Sequence, residues 1–377
     1  MIEDMKYCKK CLMPDTRPGI KFNEQIICSA CINFEKRKTT DWDARWEELK
    51  KICEKYRGCN GNDYDCAIAV SGGKDSHYLV YLIKEKLKMN PVLLTSGNID
   101  WTETGRENIQ NISDTFSCDV IMNIPNYNVA RILARKAFTE IGSATWYIDA
   151  LMYAFPFRMA IKLGLKLIIH GEDVNYTYGG KNDFEKPSCL DLHDNDVVKP
   201  MWEKWLESGE LSKSDLNSTI PPTLDECKAA ELEGLYMSYF VPWDSHHNYE
   251  VSKKWGFRHL DHEHIREGTI ENYNQIDSIG YLLNQYLKYP KFAHGSVTEM
   301  ASRWIRTGQV TREEMISVIK EKDKKLDQEI VKKFCEFTRM SYKEFFQILD
   351  KWYNPDFFEQ DKDGVWHEKF EVGIGLK

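Results

Sequence analysis

The chain has 377 residues, 42% of them hydrophobic and 29% charged, with a formal net charge of −8. Such a length exceeds one ordinary core, the composition excludes a disordered chain, and the acidic balance argues against a broad nucleic-acid footprint, which needs a basic surface. No apolar run is long enough for a membrane span and no apolar signal segment opens the sequence, so a soluble cytoplasmic protein is expected, and the 11 cysteines read as thiols and metal ligands in a reducing compartment rather than as a disulfide scaffold.

Residues 7–31, YCKKCLMPDTRPGIKFNEQIICSAC, hold the pairs Cys8/Cys11 and Cys28/Cys31, each spaced C-x2-C. Two such turns offer four thiolates to one ion, and a hairpin this small needs the ion for stability. Zinc in a closed structural site is the favoured reading; an iron–sulfur cluster, also held by four cysteines, stays open. Cys53, Cys59, Cys66, Cys118, Cys189, Cys227 and Cys335 are scattered and read as ordinary residues. Trp42, Trp46, Leu49, Ile52 and Tyr56 recur at helical steps, so residues 35–57 are expected to form one amphipathic helix before the break GCNGND at 58–63.

The stretch DCAIAVSGGKDSHYLV, 65–80, reads strand, loop, helix. Cys66 to Val70 form a short apolar run suited to a strand buried on both faces, and Tyr78, Leu79, Leu82, Ile83 and Leu87 follow at helical spacing. Glycines between a strand and a helix N-terminus let backbone N–H groups approach an anion, and a phosphate is the obvious one. The loop is neither a Walker sequence nor a dinucleotide fingerprint.

Further strands are expected at NPVLLTSGN, CDVIMNIPN and LKLIIHGED, and helices at ETGRENIQNISDTF, NVARILARKAFTEIG and YIDALMYAFPFRMAIKLG. This alternation predicts an α/β fold with a parallel, doubly wound sheet. Ligands then sit at the carboxyl ends of strands, which places ATP among Ser71–Ser76, SGNIDWTETG and HGEDVNYTYGGKND. Glu172 and Asp173 in the last segment are candidates for Mg2+, a hard ion, and Asp75 is a metal or phosphate candidate by its place in the loop. A strand is expected at 236–241. Trp243, Asp244, His246 and His247 look site-like but fit a solvated turn better, and His259, His262 and His264 match no standard metal spacing. The region 261–377 reads as mainly helical, with a capping box from Thr311 to Glu314. Lys291, His294, Arg303 and Arg306 gather around a glycine turn, either as an anionic-substrate contact or as a helix-capping loop. The expected division is 1–34 metal module, 35–60 linker helix, 61–260 nucleotide-binding core with an insertion, and 261–377 helical region.

The hexapeptide SGGKDS resembles the pyrophosphate loop of the ATP pyrophosphatases, enzymes that adenylate a carbonyl oxygen and release pyrophosphate. Taken with CLMPDTRPGIKF, IIHGEDVNYTYGG, YFVPWDSHHNYEVSKKWGF, KFAHGSVTEMASRWIRTG and NPDFF, the chain resembles the N-acetyl sugar amidotransferases, the family of the surface-polysaccharide enzyme WbpG and the pseudaminic acid enzyme PseA, over almost its whole length. The resemblance implies an adenine nucleotide α-hydrolase-like sheet and conversion of an acetamido group on a nucleotide-activated N-acetyl sugar to an acetamidino group. It also implies ATP and Mg2+ as cofactors, with ammonia from a separate glutaminase and a cyclase-like partner. It assigns Gly72, Gly73 and Ser76 to pyrophosphate, with Ser71 and Asp75 completing the loop and Lys74 at its variable position. The catalytic candidates are therefore Lys74, Asp75, Glu172 and Asp173. For the base, His170, His246 and His294 qualify on chemical type.

A glutaminase needs a nucleophilic cysteine, commonly in G-x-C-x-G or at the extreme amino terminus. Cys59 lies in RGCNG and position 2 is Ile2, which is why the ammonia source is expected on another chain. Two other readings compete: a tRNA-modifying enzyme with the same loop, and a non-catalytic interaction module on a degenerate scaffold. The acidic charge opposes the first and the intact SGGKDS opposes the second.

Overall fold

In the computed structural model, which describes residues 4–61, 63–180, 185–191 and 198–377, the first helices are α1 (Ser29–Arg37) and α2 (Trp42–Tyr56). The single helix expected over 35–57 is thus two. The first ends at Arg37, and Asp41 opens the second by accepting a hydrogen bond from the Ala44 N–H as its N-cap. Because α1 begins beside Cys28, a boundary at 34 falls inside it.

Five parallel strands follow, β1 (Cys66–Ala69), β2 (Pro91–Ser96), β3 (Val120–Asn123), β4 (Leu167–His170) and β5 (Glu233–Tyr236), in the spatial order β3-β2-β1-β4-β5. Ile68 of β1 lies between Leu93 and Ile169, all fully buried, which is why these strands read as continuous apolar runs. From β1 the order runs one way to β2 and the other way to β4, so a crevice opens where their carboxyl ends part. The connecting helices are α3 (Lys74–Val80), which widens into a π-helical turn over Tyr81–Lys86, then α4 (Glu103–Phe116), α5 (Tyr127–Ile141) and α6 (Trp146–Lys162).

Beyond β4 come α7 (Val174–Thr177), α8 (Trp202–Glu207), α9 (Lys213–Leu216) and α10 (Leu224–Ala229). The strand expected at 236–241 is displaced. Residues 233–236 pair with β4, and Met237–Phe240 form a helical turn, α11, because the Ser238 N–H donates to Gly171 O and pulls the chain off the sheet. Aromatic residues at 236, 239 and 240 carry β-propensity that this contact overrides. Next is α12 (Ser245–Lys254), and then the helical region: α13 (Ile279–Phe292), α14 (Ser296–Arg306), α15 (Arg312–Lys322), α16 (Gln328–Thr338) and α17 (Tyr342–Asp350). The capping box of Thr311 and Glu314 opens α15 as expected. Two short hairpins, β6/β7 (Phe358–Gln360, Trp366–Glu368) and β8/β9 (Phe370–Glu371, Gly375–Leu376), end the chain.

Two seams hold these parts over the crevice. Along the first, the segment after β2 docks on residues 276–280: Thr102 Oγ1 donates to Ile276 O at 2.6 Å, Asn98 Nδ2 to Asp277 Oδ2 at 3.0 Å, and the Gly280 N–H to Asp100 Oδ2 at 2.6 Å. Along the second, the metal hairpin is tied to both neighbours. Ser29 Oγ donates to Gly179 O at 2.9 Å and Asn33 Nδ2 to Tyr176 O at 2.9 Å on the sheet side; Ser302 Oγ donates to Cys11 O at 2.6 Å on the helical side. Met5, Tyr7 and Leu12 share a core with Val297, Met315 and Phe370, so the two ends of the sequence pack together.

At Gly105 a Cβ would stand 2.5 Å from Asp277 O, which leaves room for glycine alone in the first seam. Gly105→Ala is expected to lower stability by about 1–3 kcal/mol through overpacking, read as a reduced urea midpoint; an unchanged midpoint would show that the seam yields freely.

Candidate active site

The loop Ser71–Ser76 leaves β1 and enters α3 at the crevice. Gly72 has φ of +83°, and a Cβ there would meet the Ile109 backbone nitrogen at 3.0 Å, so both conformation and α4 demand glycine. The Ser71 N–H donates to Ser76 Oγ at 2.9 Å and the Gly73 N–H to Ser71 Oγ at 3.3 Å, which folds the loop on itself. Gly73 is the N-cap of α3 and brings no side chain, leaving the helix N-terminus open to an anion.

Two residues that the sequence reading passed over hold the loop from behind. Asn248 Nδ2 donates to Asp75 Oδ1 at 2.7 Å, and Ser252 Oγ to Lys74 O at 2.6 Å, both from α12. Asn248 directly follows the conspicuous His246 and His247, and Ser252 lies four residues further on, so the two share one face of α12. Those histidines are exposed, Trp243 is buried, and Asp244 caps α12 by accepting from the His247 N–H. His259, His262 and His264 bind different partners, and among the described residues they form no ligand cluster.

Lys74 is buried, with Nζ 2.5 Å from Asp75 Oδ2, while the Asp75 carboxylate is half open to the cavity. Across from it, Glu172 accepts from the Tyr178 hydroxyl at 2.6 Å. Burial, and then the negative charge of Asp75, push the Glu172 carboxyl above its ordinary range. Carboxylates are the ligand type that a hard dication prefers. Asp173 is placed differently: it caps α7, accepting from the Asn175 and Tyr176 N–H groups, and lies outside the cavity lining.

The crevice opens into a cavity of about 830 Å³. Ser71, Gly73, Lys74, Asp75 and Glu172 line one part; Lys291, His294, Arg303 and Arg306 line another; Met13, Arg17 and Gly19 of the metal hairpin close it. The third segment expected here lines it through Glu172, Asn175 and Tyr178, and its last residues, Lys181 to Asp183, lie outside the described residues. Of the three histidines considered as bases, His294 alone lines the cavity; burial holds its imidazole down, to about 4, and Nε2 stands 3.9 Å from Glu299 Oε1. His170 stacks on Tyr153 beneath the site. Burial, then the charges of Lys288 and Lys199, lower the Lys291 ammonium to about 8.

The four sulfurs of Cys8, Cys11, Cys28 and Cys31 lie within 4.8 Å of one another and are buried. This is a four-cysteine metal site. Bonds of about 2.3 Å to one tetrahedral ion put sulfurs about 3.8 Å apart, and the Cys8–Cys31 and Cys11–Cys28 separations are 3.9 and 3.6 Å.

Residues 267–371 match the description "LPS biosynthesis protein WbpG-like, C-terminal domain", which bears out the resemblance read from the sequence. An uncharacterized protein of Methanocaldococcus jannaschii is 26% identical over 178 residues, 45% of this chain; the match spans 60% of that protein's length. Among solved structures the chain is similar to the U34-tRNA thiolase NcsA from Methanococcus maripaludis with its 4Fe–4S cluster. That likeness is 13% identical, covers 79% of this chain and 88% of that one, and has a TM-score of 0.23, too low to bear on fold or ligand.

Chelation, or Cys28→Ser, is expected to release the metal and lower the melting temperature, since the hairpin's sulfurs are its core. Retained melting behaviour after complete metal loss would mean that the seams alone hold the hairpin.

Proposed function

We propose, from the premise that residues 267–371 are a WbpG-like C-terminal domain, that this chain is an ATP-dependent, AMP-forming amidotransferase acting on a nucleotide-activated N-acetyl sugar. The observation that carries the reading is spatial. Helices α13 and α14 of the WbpG-like domain form a wall of the same cavity whose other wall is SGGKDS at the sheet's switch point.

An acetamido carbonyl carbon resists ammonia because its oxygen is a poor leaving group. In the proposed sequence that oxygen bonds to the α-phosphorus of ATP and pyrophosphate departs. The nitrogen of ammonia then bonds to the same carbon, the carbon–oxygen bond breaks, and the oxygen leaves with AMP. The amidine retains the proton as an amidinium, so no oxidant or further reactant is needed.

The chain's residues divide this work. Backbone N–H groups of Gly72 and Gly73, with Ser71 and Ser76, cradle the departing pyrophosphate. Lys74 supplies a buried positive charge next to it. Asp75 and Glu172 would hold Mg2+, which neutralises phosphate charge when bound. Asp173 acts one layer back, setting the turn that carries Glu172. His294, neutral and inside the cavity, is the imidazole placed to accept a hydrogen bond from the incoming ammonia. The four-cysteine site would hold zinc, because its sulfur separations fit one ion more closely than the wider corners of a cubane cluster. Ammonia comes from a separate glutaminase, delivered with a cyclase-like partner, and the product serves surface-polysaccharide or nonulosonic acid synthesis. The protein is placed in the cytoplasm, where ATP and nucleotide sugars are available; no helix among the described residues is long and apolar enough to cross a membrane.

Asp75→Asn keeps the Asn248 contact and removes the charge. AMP formation with ATP, Mg2+, ammonium and a panel of N-acetylated nucleotide sugars should fall by at least about a hundredfold, with melting unchanged. Wild-type turnover in this variant would remove Asp75 from the mechanism.

A further inference from the structure

Three guanidinium groups meet where the metal hairpin faces α14. Arg17 lies in the loop between the two cysteine pairs; Arg303 and Arg306 are one turn apart on α14; all three line the cavity. Their partners are few. Among the described residues Arg17 donates to Pro18 O, at 3.4 Å, and Arg303 lies over the Tyr178 ring at 4.0 Å. Arg306 points one nitrogen at Cys11 Sγ, 3.5 Å away, so the thiolates of the metal site partly offset it. Among the described residues no carboxylate stands within 4.0 Å of any of the three. Glu299, whose charge reaches Arg17 and Arg303, is already paired with Lys288 at 2.6 Å.

Half-buried cations without counter-ions are costly, and three that repel one another are more so. Loop Ser71–Ser76 and Lys74 already account for the phosphates of ATP. Arg303 also feels the charge of Glu172, whereas Arg306 faces Cys11 and Arg17 sits in the hairpin loop between the cysteine pairs. Three guanidinium groups lining one cavity suit a second anion there.

We infer that Arg17, Arg303 and Arg306 form a phosphate-binding pocket for the nucleotide carrier of the acceptor, so that the metal hairpin is a substrate-recognition element and not only a structural one. The inference rests on the reading of the cavity as an amidotransferase site and adds where the acceptor docks. Guanidinium groups suit this task, since their planar donors pair with phosphate oxygens two at a time. The metal's part is to hold the loop that carries Arg17 and the sulfur that orients Arg306.

The test is binding, independent of turnover. The full chain is saturated with α,β-methylene-ATP and Mg2+, and UDP and CMP are titrated separately by calorimetry. One of them should bind the wild-type chain; Arg17→Gln should weaken it by about tenfold or more, as loss of a charge-assisted contact does, and Arg17→Lys should weaken it less. Affinity for the ATP analogue should stay within about twofold. Whichever of UDP and CMP binds identifies the carrier. If Arg17→Gln misfolds by its melting curve, Arg17→Lys alone still reads the loss of paired donors. Failure of both nucleotides to bind, an unchanged affinity in Arg17→Gln, or an equal loss of the ATP analogue would each overturn the pocket. Arginine-dependent nucleotide binding without any sugar ever transformed would sink the amidotransfer and keep the pocket. Sugar transformation with an unchanged KM in Arg17→Gln would do the reverse.

Discussion

The cavity exists because the segment after β2 is locked to residues 276–280. A bare switch point in a parallel sheet is an open crevice, wet and shallow. Once Asp100, Thr102 and Asn98 are bonded to the strand-like run before α13, the helical region must cover that crevice, and α13 and α14 become its far wall. Both partners in the seam bury polar groups and supply donors to each other; separated, Asp100 Oδ2 and Asp277 Oδ2 would lose theirs. Burial raises these two carboxyls to about 6; the hydrogen bonds of the seam pull the other way and offset part of that shift.

The metal hairpin extends the same logic. Its own core is little more than the four sulfurs with Met13 and Ala30, and its other contacts are to neighbours: Met5, Tyr7 and Leu12 pack into the helical region, while Ser29 and Asn33 bond to the turn after β4. Its position between the two larger parts puts Arg17 over the cavity. A metal that shapes this hairpin therefore reaches the site mechanically, through the loop between the cysteine pairs and through the sulfur facing Arg306.

Much of this was legible in the sequence, and the reasons differ by element. Strand β1, its loop and α3 announce themselves because a doubly buried strand must be apolar and a strained turn must be glycine. The cysteine pairs are equally plain, since metal geometry constrains spacing. Lys291, His294, Arg303 and Arg306 stand out in the sequence as a cluster open to two readings; all four line the cavity, and Lys291 also donates to Gly142 O at the C-cap of α5. What stayed hidden was long-range. Asn248 and Ser252 support the loop from 173 and 178 residues away, and nothing in their local sequence reveals a partner so distant. Nothing in the local sequence of Arg17 marks it as a cavity residue, because only tertiary packing brings it there. The β5 boundary erred for a related reason: a single backbone contact, Ser238 to Gly171, outweighed the propensity of three aromatic residues.

The central claim is that the acetamido oxygen becomes the leaving group by bonding to phosphorus. It is tested most directly by supplying an acceptor whose acetamido oxygen carries a heavy isotope, together with ATP, Mg2+ and ammonium, and weighing the products. The account predicts that the heavy oxygen appears in AMP and is gone from the sugar. Heavy oxygen retained in the transformed sugar, or AMP without it, would contradict adenylation of the amide and with it the proposed reaction.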